Sequence, residues 1–130
     1  MRMSRTIVVG ALAALGAAVA LAQQAGFTRI ALQDQPLSDP ARHAVQARAE
    51  FAPGVAAGKH THPGEELGYV LEGSILLEIE GQPPRTVKAG EAFFVPAGVV
   101  HDGKNVSGGV TKVLATYIVE KGKPVATPVK

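Results

Sequence analysis

From Val45 onward the chain is cut by Gly and Pro into short runs of strand-forming residues: Val45 to Phe51, Leu67 to Leu71, Ser74 to Glu80, Arg85 to Val87, Ala92 to Val95, His101 to Val106 and Lys112 to Val119. Short strands at regular intervals with turn signals between them build an all-β sandwich or barrel. No stretch after the first two dozen residues sustains a helical period, so little helix is expected. Glu72-Gly73 and Gly81-Gln82-Pro83-Pro84 read as turns joining consecutive antiparallel strands, an arrangement suited to a jelly roll. A chain of 130 residues accommodates one such core.

Alternation along the strands assigns their faces. Leu67, Tyr69 and Leu71 share one face, with Glu66, Gly68 and Val70 on the other. Between Lys112 and Val119 both faces are apolar, Val113, Ala115, Tyr117 and Val119 against Leu114 and Ile118. Two apolar faces need two covers, and the row Leu67, Tyr69, Leu71 would leave a lone barrel with a hydrophobic patch that monomers rarely tolerate. A homodimer joined through the outer face of one sheet is the expected solution. The segment Gln23 to Ala41, with Phe27, Ile30 and Leu32 as apolar points, reads as an extended lead-in able to cover part of that patch on its own barrel or on a neighbour's.

The first 22 residues place Arg2 and Arg5 ahead of an apolar run from Ile7 to Leu21, followed by Ala20-Leu21-Ala22. That order is a secretory signal peptide cleaved after Ala22, which implies export to the periplasm or beyond. The competing reading is a retained membrane anchor, since the run approaches the roughly 17 to 20 residues that span a bilayer. Its Ala- and Gly-rich composition drives insertion weakly. The segment carries Arg2 and Arg5 and no acid, so of 13 basic residues 11 remain after cleavage, against 11 acids. A neutral mature domain without a Lys/Arg cluster offers no electrostatic footprint for nucleic acid. The absence of cysteine excludes disulfides, thiolate ligands and a thiol nucleophile together.

The residues that carry chemistry lie in two stretches. In GVAAGKHTHPGEELGYVLEG, His60 and His62 are two apart and so share a strand face. Glu66 has the same parity, and a turn at Pro63-Gly64 can bring its carboxylate back toward them. In GEAFFVPAGVVHDGKN, His101 follows a Pro-x-Gly turn. A histidine buried in a barrel is costly unless a partner such as a metal satisfies it.

With these two stretches the chain resembles the cupin superfamily. Gly54, His60, His62, Glu66 and Gly73 match its first motif, G-x5-H-x-H-x3-E-x6-G, and Gly90, Pro96, Gly98, His101 and Asn105 match its second, G-x5-P-x-G-x2-H-x3-N. The resemblance runs from Val45 to Val119 and implies a double-stranded β-helix, the jelly-roll barrel of a single cupin domain, over residues 45–120. It also implies that His60, His62, Glu66 and His101 hold one divalent metal ion, with Fe, Mn, Zn, Ni and Cu all open. The matched glycines read as turn residues with positive φ, and Asn105 as the source of a local side-chain to backbone bond.

Other polar residues take blander roles. His43 in the lead-in reads as solvent-exposed, Glu65 as a surface neighbour of Glu66, and Glu78 and Glu80 as the solvated face opposite Ile75, Leu77 and Ile79. Phe93 and Phe94 both read as core, with a wall of the pocket as the alternative role for one of them. Three neutral imidazoles and a carboxylate leave a divalent ion with one net positive charge and, in octahedral geometry, two open positions. Similarity to single-domain cupins then implies a dioxygenase-like enzyme for an enolic, phenolic or diketone compound, with a non-redox isomerase, lyase or decarboxylase, or a non-catalytic periplasmic binding module, as alternatives. Tyr69, Tyr117 and Lys59 are the candidates for an acid or base beyond the ligands; none stands out, and Tyr69 has the wrong parity.

Overall fold

In the computed structural model residues 24–130 are described, and the signal-peptide reading of residues 1–22 lies outside them. The described chain contains strands and no helix: β1 (Phe27–Pro36), β2 (Arg42–Phe51), β3 (His60–Thr61), β4 (Gly64–Glu72), β5 (Ser74–Ile79), β6 (Arg85–Lys88), β7 (Ala92–Val95), β8 (His101–Asn105), β9 (Thr111–Glu120) and β10 (Thr127–Pro128). They form two five-stranded antiparallel sheets, ordered β1-β2-β9-β4-β7 and β10-β3-β8-β5-β6, the jelly roll that the strand spacing requires.

Every strand anticipated from the sequence is present, and the lead-in is itself structured. It pairs with β2 from Phe27↔Phe51 to Pro36↔His43 as the edge strand of the first sheet. The turn reading holds between β5 and β6, which pair directly. At Gly73 the chain does something else: β4 belongs to one sheet and β5 to the other, so this residue turns a corner between sheets. Its φ of 78° and the Thr111 side chain pressed against it leave no room for a Cβ, which explains why glycine stands there. Gly54, Gly90 and Gly98 also have positive φ, as expected of them.

The inward faces of the two sheets meet in a core of Phe27, Phe51, Val70, Ile75, Leu77, Val87, Phe93, Val95 and Val113. A second cluster, Ala47, Ala115, Tyr117 and Val119, fills the other end. Fully burying each such side chain stabilises the fold by about 1.5–3 kcal/mol, and here the gain comes from strict alternation: in β9 Val113, Ala115, Tyr117 and Val119 are buried while Leu114, Thr116 and Ile118 are only partly covered. Asn105 locks the end of β8. It donates from Nδ2 to the carbonyls of Phe51 (3.0 Å) and Gly109 (2.7 Å), and its Oδ1 accepts from Thr111 Oγ1 (2.9 Å).

Two side-chain placements differ from expectation. Phe93 is core, but Phe94 is 53% exposed, because alternation in β7 can turn only one of two adjacent rings inward. His43 is half-buried against the edge strand and bonded to Asp34 Oδ1 at 2.6 Å, outside the histidine cluster described next. Glu65 is at the surface and paired with Arg42, and Glu78 and Glu80 are exposed, as the alternation requires.

Candidate metal centre

The chain crosses from one sheet to the other between β3 and β4, and that crossing assembles the site. His60 in β3 lies directly opposite His101 in β8, so one sheet supplies two imidazoles from a single cross-strand pair. His62 stands just past β3, and Glu66 projects inward from β4 of the other sheet. All four side chains are buried, between 2 and 8% exposed. One nitrogen from each of His60, His62 and His101 falls within 4.8 Å of the others. Glu66 Oε2 lies 3.0 Å from His62 Nε2 and 3.1 Å from His101 Nε2. The four residues singled out in the sequence are thus brought together.

The tautomers are set from behind. Nδ1 of His60 donates to Gly58 O (2.6 Å), Nδ1 of His62 to Val125 O (2.5 Å) and Nδ1 of His101 to Val99 O (2.9 Å). Each Nδ1 proton is held by a backbone carbonyl, which leaves the Nε2 lone pairs facing inward, the arrangement of metal-ligating histidines. Asp102 secures the first of these supports by accepting from Gly58 N at 2.9 Å. Burial, with His101 next in weight, holds the His60 imidazole down to about 3, so it is neutral at any ordinary pH. Burial alone would push the Glu66 carboxyl up, but the imidazoles of His101 and His62 outweigh it and hold the group at about 2, ionised.

This donor set fits a divalent cation. His62 Nε2 is buried and makes no hydrogen bond, since Glu66 Oε2 is close but misaligned for one. Such an atom costs about 1–3 kcal/mol unless something else satisfies it. An ion with bonds of about 2.1 Å holds right-angled neighbours about 3.0 Å apart, which is the spacing of Glu66 Oε2 from the two imidazole nitrogens.

Beside the four side chains lies a cavity of about 30 Å³, where one water takes up about 10–15 Å³. Its walls are mostly apolar, among them Phe51, Ile75, Leu77 and Phe93. Tyr117 completes the lining, its ring 4.6 Å from that of His62. Burial, then the Glu66 charge, pushes its phenol up, so the hydroxyl keeps its proton. Of the other acid–base candidates, Tyr69 faces outward and Lys59 sits exposed at the rim of an adjoining space.

Comparison with known proteins gives the arrangement its family. A family model described as the cupin domain matches residues 47–117, more than half of the chain. The chain belongs to the cupin family. Among curated relatives this cupin is 34% identical over 80 residues to the HTH-type transcriptional regulator PuuR of Escherichia coli K12, covering 61% of this chain and 43% of that one. It is 39% identical over 67 residues to oxalate oxidase 2 of Hordeum vulgare, covering 45% of this chain and 30% of the relative. It therefore spans less than half the length of these relatives. Among solved structures it resembles an oxalate oxidase in complex with the substrate analogue glycolate, with a TM-score of 0.65 and 26% identity over 80% of this chain and 55% of that one.

Two contributors to the centre lie outside residues 47–117 and carry no motif. One is Arg29 in β1, whose Nη2 donates to His60 Nε2 at 3.2 Å, a bond that an ion on that lone pair would displace, and whose guanidinium stacks 4.9 Å over the Phe27 ring. The only sequence signal for it is parity, since Phe27 and Arg29 share the inward face of an extended segment. The other is the C-terminal segment. Besides the Val125 carbonyl on His62, Thr127 and Pro128 pair with Thr61 and His60, and Val129 N donates to Lys59 O at 2.9 Å. Removing residues 124–130 is expected to weaken metal binding by about 10- to 100-fold, the usual effect of losing a ligand's outer partner. The β-sheet circular dichroism should survive, because among the described strands β10 pairs only with β3, at the edge of its sheet. Metal titration of the truncated chain beside the full chain checks both.

Proposed function

We propose that this cupin is a metal-dependent enzyme of dioxygenase-like type acting on a small enolic, phenolic or diketone compound. The observation that carries the reading is the convergence of three oriented Nε2 atoms and one carboxylate beside a small cavity that is not filled by protein. A divalent ion held by His60, His62, Glu66 and His101 supplies Lewis-acid polarisation of a substrate oxygen and, when redox-active, electron exchange with dioxygen. The chain's own residues do the rest. Phe51, Ile75 and Phe93 exclude water, and the protonated Tyr117 hydroxyl is a donor at the edge of the centre. The likeness to an oxalate oxidase, in sequence and in fold, supports oxygen chemistry over a closed structural site.

The deciding experiment loads the protein separately with iron, manganese, zinc, nickel and copper and follows oxygen uptake with a panel of enolic, phenolic and diketone compounds. Oxygen consumption matched by product supports the proposal. Turnover without oxygen replaces it by an isomerase, lyase or decarboxylase. Tight binding without turnover replaces it by a ligand-binding module, the reading that the match to a transcriptional regulator favours.

We further infer export from the N-terminal segment and assembly as a homodimer. Leu67, Tyr69, Leu71 and Phe94 are each 44–53% exposed, and Leu67 pairs across the strands with Phe94, which makes one continuous apolar patch on the outer face of β4 and β7. The lead-in does not cover it within the chain: β1 is at the opposite edge of that sheet, separated by β2 and β9. Sedimentation of residues 23–130 should give a dimer mass, and Tyr69→Glu should shift it toward monomer. A wild-type monomer at high micromolar concentration overturns this assembly.

A further inference from the structure

The cavity beside the metal-ligand cluster adjoins a second, outer space of about 230 Å³ that reaches the surface. The two share Phe27, Arg29, Ala57 and His60, so Arg29 stands where one opens toward the other. Lys59 lines the outer space as well, and among the described residues no acidic one does. Among the described residues, the charged side chains on the way to the centre are thus both positive. Asp102 and Glu78, the acids on the neighbouring strands β8 and β5, line a different hollow.

The charge of the centre points the same way. Glu66 brings one carboxylate to the cluster, and Arg29 brings a guanidinium whose Nη2 is 3.2 Å from His60 Nε2. With a divalent ion in place, one carboxylate would stand against the ion and the Arg29 guanidinium together, an excess of positive charge in surroundings that screen it poorly. A neutral substrate leaves that repulsion standing; an anionic one removes it. Arginine, planar and always charged, matches a carboxylate through two parallel donors. Phe27, stacked against the guanidinium, holds its plane, and Tyr117 lines the same inner cavity as Arg29.

We propose that Arg29 is the specificity residue of this site, and that the substrate is a small carboxylate-bearing anion that enters past Lys59 and is held through its carboxylate by Arg29 beside the metal-ligand cluster. This rests on the metal-site reading above and narrows its substrate class, since an enolic or phenolic compound lacking a carboxylate would be a poor ligand.

Binding, not turnover, tests it. Zinc-loaded protein at measured stoichiometry is titrated calorimetrically with glycolate and with glycolamide, its neutral isostere, in wild type, Arg29→Met and Arg29→Lys. Wild type should prefer glycolate, and Arg29→Met should weaken glycolate by roughly 10- to 100-fold, the loss of a charge-assisted bond pair, with zinc content and glycolamide affinity unchanged. Arg29→Lys should keep part of the preference, having the charge without the fork. Unchanged glycolate affinity in Arg29→Met overturns the proposal, as does an equal loss for glycolamide, which would make Arg29 a wall of the cavity. Loss of zinc from both variants also overturns it, by making Arg29 a support of the metal ligands. Arg29-dependent glycolate binding, with no oxygen uptake by the iron-, manganese- and copper-loaded forms across the compound panel, sinks the dioxygenase-like reading and leaves this one standing. Turnover of a neutral diketone that is indifferent to Arg29→Met does the reverse.

Discussion

His62→Ala is expected to lower metal affinity by about 100-fold or more, beyond the roughly 10- to 100-fold cost of losing an outer partner. His62 is the most buried of the four candidate ligands, at 2% exposure, and its ring is held on both sides, by the Val125 carbonyl at Nδ1 and by the Tyr117 ring 4.6 Å away. No neighbouring donor can swing in to replace it, since the only other described histidine, His43, is bonded to Asp34 at the sheet edge. Binding to the folded state alone stabilises it by about 2.7 kcal/mol at a metal concentration of 100 Kd. For a domain of this size that corresponds to a rise in Tm of about 10 °C or more. The variant should lose most of that rise while its metal-free form melts close to the wild type, and His43→Ala should keep all of it. Metal analysis after dialysis, paired with calorimetry of loaded and stripped protein, reads both quantities. One full equivalent of metal in His62→Ala at wild-type affinity would remove His62 from the site.

What could be seen in the sequence, and what could not, divides by the range of the interaction. Strand positions were legible because alternation is local: Ile75, Leu77 and Ile79 are buried and Glu78 is exposed with no knowledge of what packs on them. His60, His62, Glu66 and His101 were legible as a set because their spacing within two short stretches carries them to the crossing between sheets. Their supports were not. The carbonyl that orients His62 lies 63 residues later, and a backbone carbonyl has no residue type to betray it. Arg29 was hidden for a similar reason, since an arginine on an extended segment is ordinary until β1 is known to pair with β2 and so to line the cavity. Phe93 and Phe94 are adjacent, so parity in β7 admits only one ring to the core, and hydrophobicity by itself misplaces Phe94.

Gly64→Ala is expected to cost at least about 3 kcal/mol, at the upper end of overpacking effects, and to displace Glu66 as well. Gly64 opens β4 after Pro63, and its φ is not positive, so it does not act as a turn glycine. What demands glycine is space. A Cβ there would lie 1.8 Å from Ile118 O and 2.8 Å from the Cα of Val119, its partner in the ladder. Those are backbone atoms inside β9, flanked by β2 on the other side, and unlike a flexible side chain they cannot rotate away. The start of β4 must therefore retreat, giving up the bond from Glu120 N to Pro63 O (3.0 Å) and the first rungs between β4 and β9. Glu66 is two residues further on, with its Oε2 poised 3.0 and 3.1 Å from two imidazole nitrogens, so the displacement that relieves the clash also pulls the carboxylate from the cluster. Stability and metal affinity should fall together in this variant, whereas His62→Ala separates them. Gly108→Ala is the matched control: nothing lies within 4 Å of its added Cβ, and its φ is not positive, so its stability should stay within about 0.5 kcal/mol of wild type. Urea unfolding of the metal-free proteins measures the first effect and metal titration the second. Gly64→Ala unfolding within about 1 kcal/mol of wild type would mean that β4 and β9 can separate at that point without loss, and that Glu66 is held by its histidine neighbours instead of by the close approach of the two strands.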